Sequence, residues 1–190
     1  MTELERGDLQ IFFRPSVQPA EAPVHTLGVQ SLYLLLSPAG RDVHRRVRVG
    51  KNRLPTTARD RFWCRIERVG SLERALGDVL EDERYTTKTR GERYQPGARP
   101  VAHGEYLLAR HDDHVHLTYA VEPLPFDDAP EELHVERAAR LLLLFENHRG
   151  RAVWTQHGDL SNLDREGEEI VLVGSSVPIP LGEDGLLART

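Results

Sequence analysis

Short runs in which apolar and polar residues alternate, each stopped by a turn-forming residue, dominate this chain and leave little room for long helices. Leu9, Ile11 and Phe13 against Gln10, Phe12 and Arg14 read as a strand closed by Pro15. The same two-residue period returns in Phe62, Cys64 and Ile66 against Trp63, Arg65 and Glu67, and in Val47 and Val49 against Arg46 and Arg48, the latter a half-exposed strand with a basic outer face. Residues 29–36 are apolar throughout and end at Ser37-Pro38-Ala39-Gly40, as a buried central strand would. Residues 104–111 and 114–122 flank Asp112-Asp113 and form the clearest hairpin. One helix starts at an N-capping Ser71 with Leu72, Leu76 and Leu80 on one side, and a second short one fits residues 131–140. Residues 141–145 read as a strand, as do residues 170–173. The pattern implies a mainly β (α+β) fold, a single barrel-like or sandwich-like mixed β domain with one or two short helices.

Composition narrows this further. A length of 190 residues, 39% of them hydrophobic and 29% charged, suits one folded domain with one sizeable core. Residues 1–177 form that domain, and residues 178–190 read as a loose C-terminal tail. Neither a leader nor an apolar run of the ~20 residues a membrane helix needs is present, so the expectation is a cytoplasmic protein with no membrane partner. Cys64 is the only cysteine, which excludes an internal disulfide and a thiolate zinc cluster; alternating with core positions, it reads as an inert buried thiol. The net charge of −5 gives no global footprint for nucleic acid, so binding to an anion would have to come from local basic islands.

Three such places stand out. Lys88, Arg90, Arg93 and Arg99, with Thr87 and Thr89 around Gly91, offer guanidinium groups that chelate phosphate oxygens bidentately and a glycine that allows close approach. The spacing is not that of a Walker loop. A basic island runs from Arg41 through Arg45, Arg46 and Arg48 to Lys51 and Arg53; Lys51 and Lys88 are the only lysines in the chain. Tyr33, Trp63, Tyr85 and Tyr94 near these islands have the faces to stack bases. In the hairpin, a two-residue turn pairs His111 with His114 and Ala109 with His116, which puts three histidines on one face, a workable ligand set for a divalent metal, with Asp112 or Asp113 near enough to add a carboxylate. Gly174-Ser175-Ser176 lacks the frame of a nucleophile elbow.

Arg6-Gly7-Asp8, Gly50-Lys51 with Arg53-Leu54-Pro55, Arg61-Phe62-Trp63, the run Thr87 to Arg93, and Arg110-His111 with Asp113-His114 and His116 resemble a prokaryotic family of hypothetical proteins over nearly the whole chain. The resemblance implies positions and no activity. This chain has Tyr94 where the family pattern has a histidine, which weakens a catalytic metal reading.

Three functions follow as expectations. The first is a binding module for a phosphorylated ligand, a nucleotide or RNA, held by Lys88, Arg90, Arg93, Arg99 and Arg110 with Lys51 and Arg53 nearby. The second is a phosphate-ester or nucleic-acid hydrolase in which Glu92, His111, His114 or His116 serves as general acid or base, with or without a divalent metal. The third is a structural subunit whose basic loop docks a protein partner. The first two need their residues to converge on one pocket.

Overall fold

The computed structural model describes residues 1–20, 28–125, 130, 133, 135–147, 153–155, 160–177, 179, 181 and 187. Its strands are β1 (Thr2–Pro15), β2 (Gln18–Pro19), β3 (Val29–Pro38), β4 (His44–Val49), β5 (Arg61–Gly70), β6 (Glu83–Thr87), β7 (Gly91–Gln95), β8 (Arg99–His111), β9 (His114–Pro123), β10 (Ala138–Asn147), β11 (Val153–Thr155) and β12 (Glu169–Val173). One helix, α1 (Leu72–Leu80), and a 3-10 turn over Leu160–Asp164 complete the described elements.

Between barrel and sandwich, the structure is a barrel. The order β10-β12-β5-β4-β3-β1-β8-β9 closes through β9 and β10, where Leu141 pairs with Leu117, giving eight antiparallel strands in a ring. Strand alternation then assigns the faces. Leu9, Ile11 and Phe13 point inward with Leu32, Leu34, Leu36, Val47, Val49, Phe62, Cys64, Ile66, Tyr106, Leu108, Leu117 and Leu172, and these side chains fill the interior. Burial pushes the Cys64 thiol up to about 12, so it stays a neutral packing group. Two inward-facing glycines let strands come close where the ring bends: a Cβ at Gly7 would stand 2.1 Å from the Ser37 carbonyl oxygen, and one at Gly104 2.0 Å from that of Ala120.

Among the described elements, one helix covers part of the outer face. α1 lies over β1 and β3, packing Ala75, Leu76 and Val79 on Phe12, Tyr33, Leu35 and Ala98, which explains why residues 32–36 are apolar on both faces. Ser71 caps the helix as expected, its Oγ accepting from the Arg74 amide at 3.3 Å. The buried face is not the expected one: Leu72 and Leu80 are 49% and 45% exposed. Ala75, Leu76 and Val79 form the tighter stripe, and Leu72 and Leu80 fall on its margins at the two helix ends.

A small second sheet, β2-β7-β6, continues from the far end of β1, anchored by the Gln95 side-chain amide, which donates to the Pro15 carbonyl at 2.7 Å. The expected helix over 131–140 is corrected at its C-terminal end, because Ala138–Arg140 already belong to β10, pairing with β9; residues 131, 132 and 134 lie outside the described residues. Of the expected tail, Leu187 is buried against Leu107, Ala109 and Ala120 on the outside of the barrel, while most of residues 178–190 lie outside the described set. No helix among the described residues is long and apolar enough to cross a membrane.

Candidate functional site

The loop that carries Lys88 and Arg90 is the turn of the β6–β7 hairpin. Thr87 Oγ1 accepts from the Arg90 amide at 3.0 Å and donates to the Gly91 carbonyl at 3.3 Å, and Gly91 sits at φ 67°, so the threonine and glycine build the turn itself. Lys88 and Arg90 stand exposed at its tip. Arg93 reaches back to the Val17 carbonyl at 3.5 Å, and Glu92 pairs with Thr86 on the exposed surface. Tyr94 donates its hydroxyl to Asp82 at 2.7 Å, while the Gly97 amide donates to the other Asp82 oxygen at 2.8 Å. These bonds, the backbone one first, hold Asp82 below the usual carboxylate range.

Arg53 is committed to Asp60 through two bonds of 2.9 and 3.2 Å. Asp60 also accepts from the amides of Thr56 and Thr57, and the Arg53 contact together with those amides holds it far below the ordinary range. The pair clasps the 50–60 loop, beside a groove of about 570 Å³ shared with Val135 and Glu136.

The β8–β9 hairpin has the register read from the sequence: His111 opposes His114 and Ala109 opposes His116. The three imidazoles line the outer face, with ring centroids 5.6 Å apart for His111 and His114 and 4.6 Å for His114 and His116. His111 and His114 turn their Nδ1 atoms to Asp112 and Asp113, at 3.2 and 2.9 Å. His116 is half-buried with its Nδ1 lacking a partner, and burial, followed by the charges of His114, Arg140 and His111, pushes it down to about 4. The rings come from two adjacent strands and meet tilted by 45° and edge-on at 79°, and among the described residues no group of three His, Cys, Asp or Glu is placed to hold a metal ion.

Nor do these sites meet one another. Arg110 and His111 close β8 beside Thr2 at the start of β1, whereas Arg99 opens β8 beside Phe13, and β7 is tied to Pro15 at that same end. A strand rising about 3.3 Å per residue separates the two groups by most of the barrel's length. Glu92, Lys88 and Arg90 thus lie at one end of β1 and the histidines at the other.

The concave feature with the richest chemistry lies elsewhere, on the outer face of β3, β4 and β5 alongside α1. Arg14, Tyr33, Arg46, Arg48, Arg65, Arg68, Glu67, Asp78, Glu83 and Glu166 line a groove of about 740 Å³. Its floor comes from alternation: Arg46 and Arg48 occupy the outward positions of β4, and Arg65 and Glu67 those of β5, with Arg48 directly opposite Arg65. A bulge at Glu67 then brings Arg68 opposite Arg46 on the same side. Arg46 is 2% exposed beneath the helix; it forms a two-pronged pair with Asp78, donates to the Ala75 carbonyl at 2.9 Å, and lies 3.3 Å from Glu67 and 5.5 Å from the Tyr33 ring centre. Burial opposes its charge, but the bonds and charges of Asp78 and Glu67 outweigh that and keep it a cation.

The groove is not fully satisfied. Arg46 Nε and Arg14 Nη2 are buried donors with no hydrogen-bond acceptor, although Arg14 Nη2 lies 3.4 Å from Glu83 as an ion pair. Among the described residues Arg48 has an ion pair with Glu67 alone, at 3.6 Å, and Arg65 has none. The sequence reading had Arg46 and Arg48 on a basic outer face but missed Arg14, Arg65 and Arg68. The signal was present in the outward parity of Arg65 and Glu67, read only as a mark of strand.

Arg45, the remaining member of the basic island, points inward and is 0% exposed. Its guanidinium donates to both Glu5 oxygens at 2.6 and 3.0 Å and to Asp164 at 2.7 Å, with Arg41 2.9 Å from Asp164 and the Tyr106 hydroxyl donating to Glu5 at 2.8 Å. This member of the basic island is a polar plug, closing the barrel end under the 3-10 turn that carries Asp164. No family model, curated protein or solved structure matches the chain, so its function rests on this geometry alone.

Proposed function

We propose that the protein is a binding module for a phosphorylated ligand and that the ligand sits in the arginine-lined groove between α1 and β4–β5. The observation that supports this best is the pair of buried guanidinium donors, Arg46 Nε and Arg14 Nη2, left without acceptors on the wall of one groove. A buried donor with no acceptor costs about 1–3 kcal/mol, and a phosphate oxygen entering the groove removes that cost. Arg65, in no ion pair with a described residue, and Arg48, 3.6 Å from Glu67, supply the charge that four carboxylates leave over. Lys88 and Arg90, at the hairpin tip, have no comparable enclosure. The hydrolase reading, in which Glu92 or one of His111, His114 and His116 is the general acid or base, gains nothing from this groove, since none of the four lines it.

Calorimetric titration with inorganic triphosphate at low salt tests the proposal. Wild-type protein binds, Arg48→Ala combined with Arg65→Ala weakens binding by about tenfold or more, as removal of charge-assisted bonds should, and Lys88→Ala with Arg90→Ala leaves it unchanged. Absence of binding, or a loss confined to the Lys88 and Arg90 variant, overturns it.

A further inference from the structure

We propose that the free edge of β6 docks a second copy of this chain, the two β6 strands pairing antiparallel about a twofold axis at Tyr85 to give one continuous sheet of order β2-β7-β6-β6-β7-β2. The inference is independent of the groove and of what fills it.

In the small sheet β7 lies between β2 and β6, and no described strand lies beyond β6. The backbone groups that this edge presents follow from β7. The Glu92 carbonyl accepts from the Ala20 amide, so the backbone of Glu92, and of Tyr94 two residues on, turns towards β2. Thr86 and Arg84, which face Glu92 and Tyr94 across the hairpin, therefore form the non-hydrogen-bonded pairs of the β6–β7 ladder, and their own N–H and C=O groups point away from β7. Glu83, Arg84, Tyr85 and Thr86 are all exposed, so side chains on both faces of the strand reach solvent. Edges of this kind are guarded by a proline, a bulge or a charge. β6 contains no proline, and its register with β7 has no shift. Its one cation, Arg84, lies 5.4 Å from the Tyr94 ring centre, drawn across the sheet towards β7 and off the edge.

The residues along the edge select a second copy as the occupant. With Tyr85 on the axis, residues equally far on either side of it face each other, and strand alternation keeps each facing pair on one side of the sheet. Arg84 then exchanges backbone hydrogen bonds with Thr86 of the second copy, and Thr86 with Arg84 of the second copy. Tyr85, 43% exposed in the single chain, meets its own counterpart in a non-hydrogen-bonded pair, whose Cα separation of about 4.5 Å brings aromatic side chains into contact. Glu83 faces Thr87, and Asp82 faces Lys88. Lys88 is exposed at the hairpin tip. Asp82 accepts one bond at each oxygen, from Tyr94 and Gly97, and a carboxylate with about four lone-pair sites has room for an ammonium group as well. No facing pair sets like charges together, which an edge unsuited to its own copy would do. With five residues on each strand the contact is small, so association is weak and depends on concentration.

Sedimentation of the full chain between about 10 µM and about 1 mM, a range that reveals weak association, is the first measurement. A concentration-dependent passage from monomer to dimer is expected. Thr86→Pro removes an outward N–H and leaves the β6–β7 bonds in place, and Lys88→Asp sets two carboxylates face to face. Each should weaken the dimer by about tenfold or more, with circular dichroism confirming the fold. Cross-linking reads the register. Cys64 is buried, so an introduced cysteine is the accessible thiol. With oxidised glutathione as oxidant, Tyr85→Cys should form a covalent dimer about tenfold faster than Arg84→Cys, whose counterpart stands on the diagonal about 7–8 Å away. A chain that stays monomeric over the whole range overturns the proposal and leaves the edge to a strand of another protein. Dimers of Thr86→Pro and Lys88→Asp as tight as wild type overturn it too, and equal cross-linking rates overturn pairing about Tyr85.

Discussion

Arg45 is the residue on which one end of the barrel depends. Its charge is out of water entirely, and Glu5, Asp164 and Arg41 make the cluster neutral as a unit. Removing one partner from such a set strands the other, so Arg45→Ala should destabilise the fold by about 3–5 kcal/mol, whereas replacing both Arg45 and Glu5 with apolar residues of similar size should cost far less. Urea unfolding of the single and double variants separates the two, and equal losses would show that packing rather than charge holds this end. His116 gives the corresponding statement for pH. Burial lowers its folded value to about 4 from an ordinary 6.5, so between those values the unfolded chain binds a proton that the folded chain refuses. Stability therefore rises with pH across this window and is lost as pH falls from 6.5 towards 4. Because the ring is only half-buried, the effect is about 1–2 kcal/mol once solvent screening is allowed for. Asp78, Asp82 and Asp164 titrate below that window, so unfolding at pH 7 and pH 5 isolates the histidine. His116→Gln should flatten the difference, and an unchanged difference would assign it to other groups.

At the scale of elements, the β8–β9 hairpin shows what local sequence can dictate. A two-residue turn leaves one register in which Tyr106, Leu108, Val115, Leu117 and Tyr119 all face inward, and the chain adopts it. The turn nevertheless carries strain, since Asp112 is the only non-glycine residue at positive φ among those described, at 52°. Asp112→Gly relieves it and should raise stability by about 0.5–1 kcal/mol, read as a melting temperature higher by about 1–4 °C; a fall would mean that the Asp112 carboxylate's contact with His111 is worth more than the backbone relief. Period-two alternation likewise revealed β1, β4 and β5, because a filled barrel demands apolar residues on one face of every strand. The buried stripe of α1 was harder to read. Leu72 and Leu80 are as apolar as Leu76, and it is the tertiary packing on Phe12, Tyr33, Leu35 and Ala98, not a local pattern, that buries Ala75 and Val79 in their place. The start of β10 at Ala138 was hidden for a similar reason, since barrel closure against β9 overrides a local helical pattern.

For the whole molecule, the decisive information is strand order. Arg14, Arg46, Arg48, Arg65 and Arg68 come from three strands that only the sequence β1-β3-β4-β5 around the ring brings together with α1, and no local pattern states that order. The hairpin tip drew attention in the sequence because its charges are contiguous, yet contiguity in the chain concentrates charge without enclosing it. The groove also shapes how binding responds to salt. Net charge is −5, so the molecule as a whole repels a polyanion, and attraction must come from charges not already neutralised. Arg46 is bound to Asp78 and Arg14 is paired with Glu83, whereas Arg48 and Arg68 each stand 3.6 Å from a carboxylate, Glu67 or Asp78, that Arg46 already engages; with Arg65 they are the three cations whose engagement releases counterions most fully. For a single strand that gives a slope of log K against log salt of about −2.1, shallow beside the five arginines lining the groove. Fluorescence anisotropy with a labelled hexanucleotide between ~50 and ~200 mM salt measures it. Arg48→Ala should bring the slope to about −1.4, and a value near −3.5 would mean that the internal carboxylate pairs open when the ligand enters. A slope of zero would remove phosphate contact from the account of this groove.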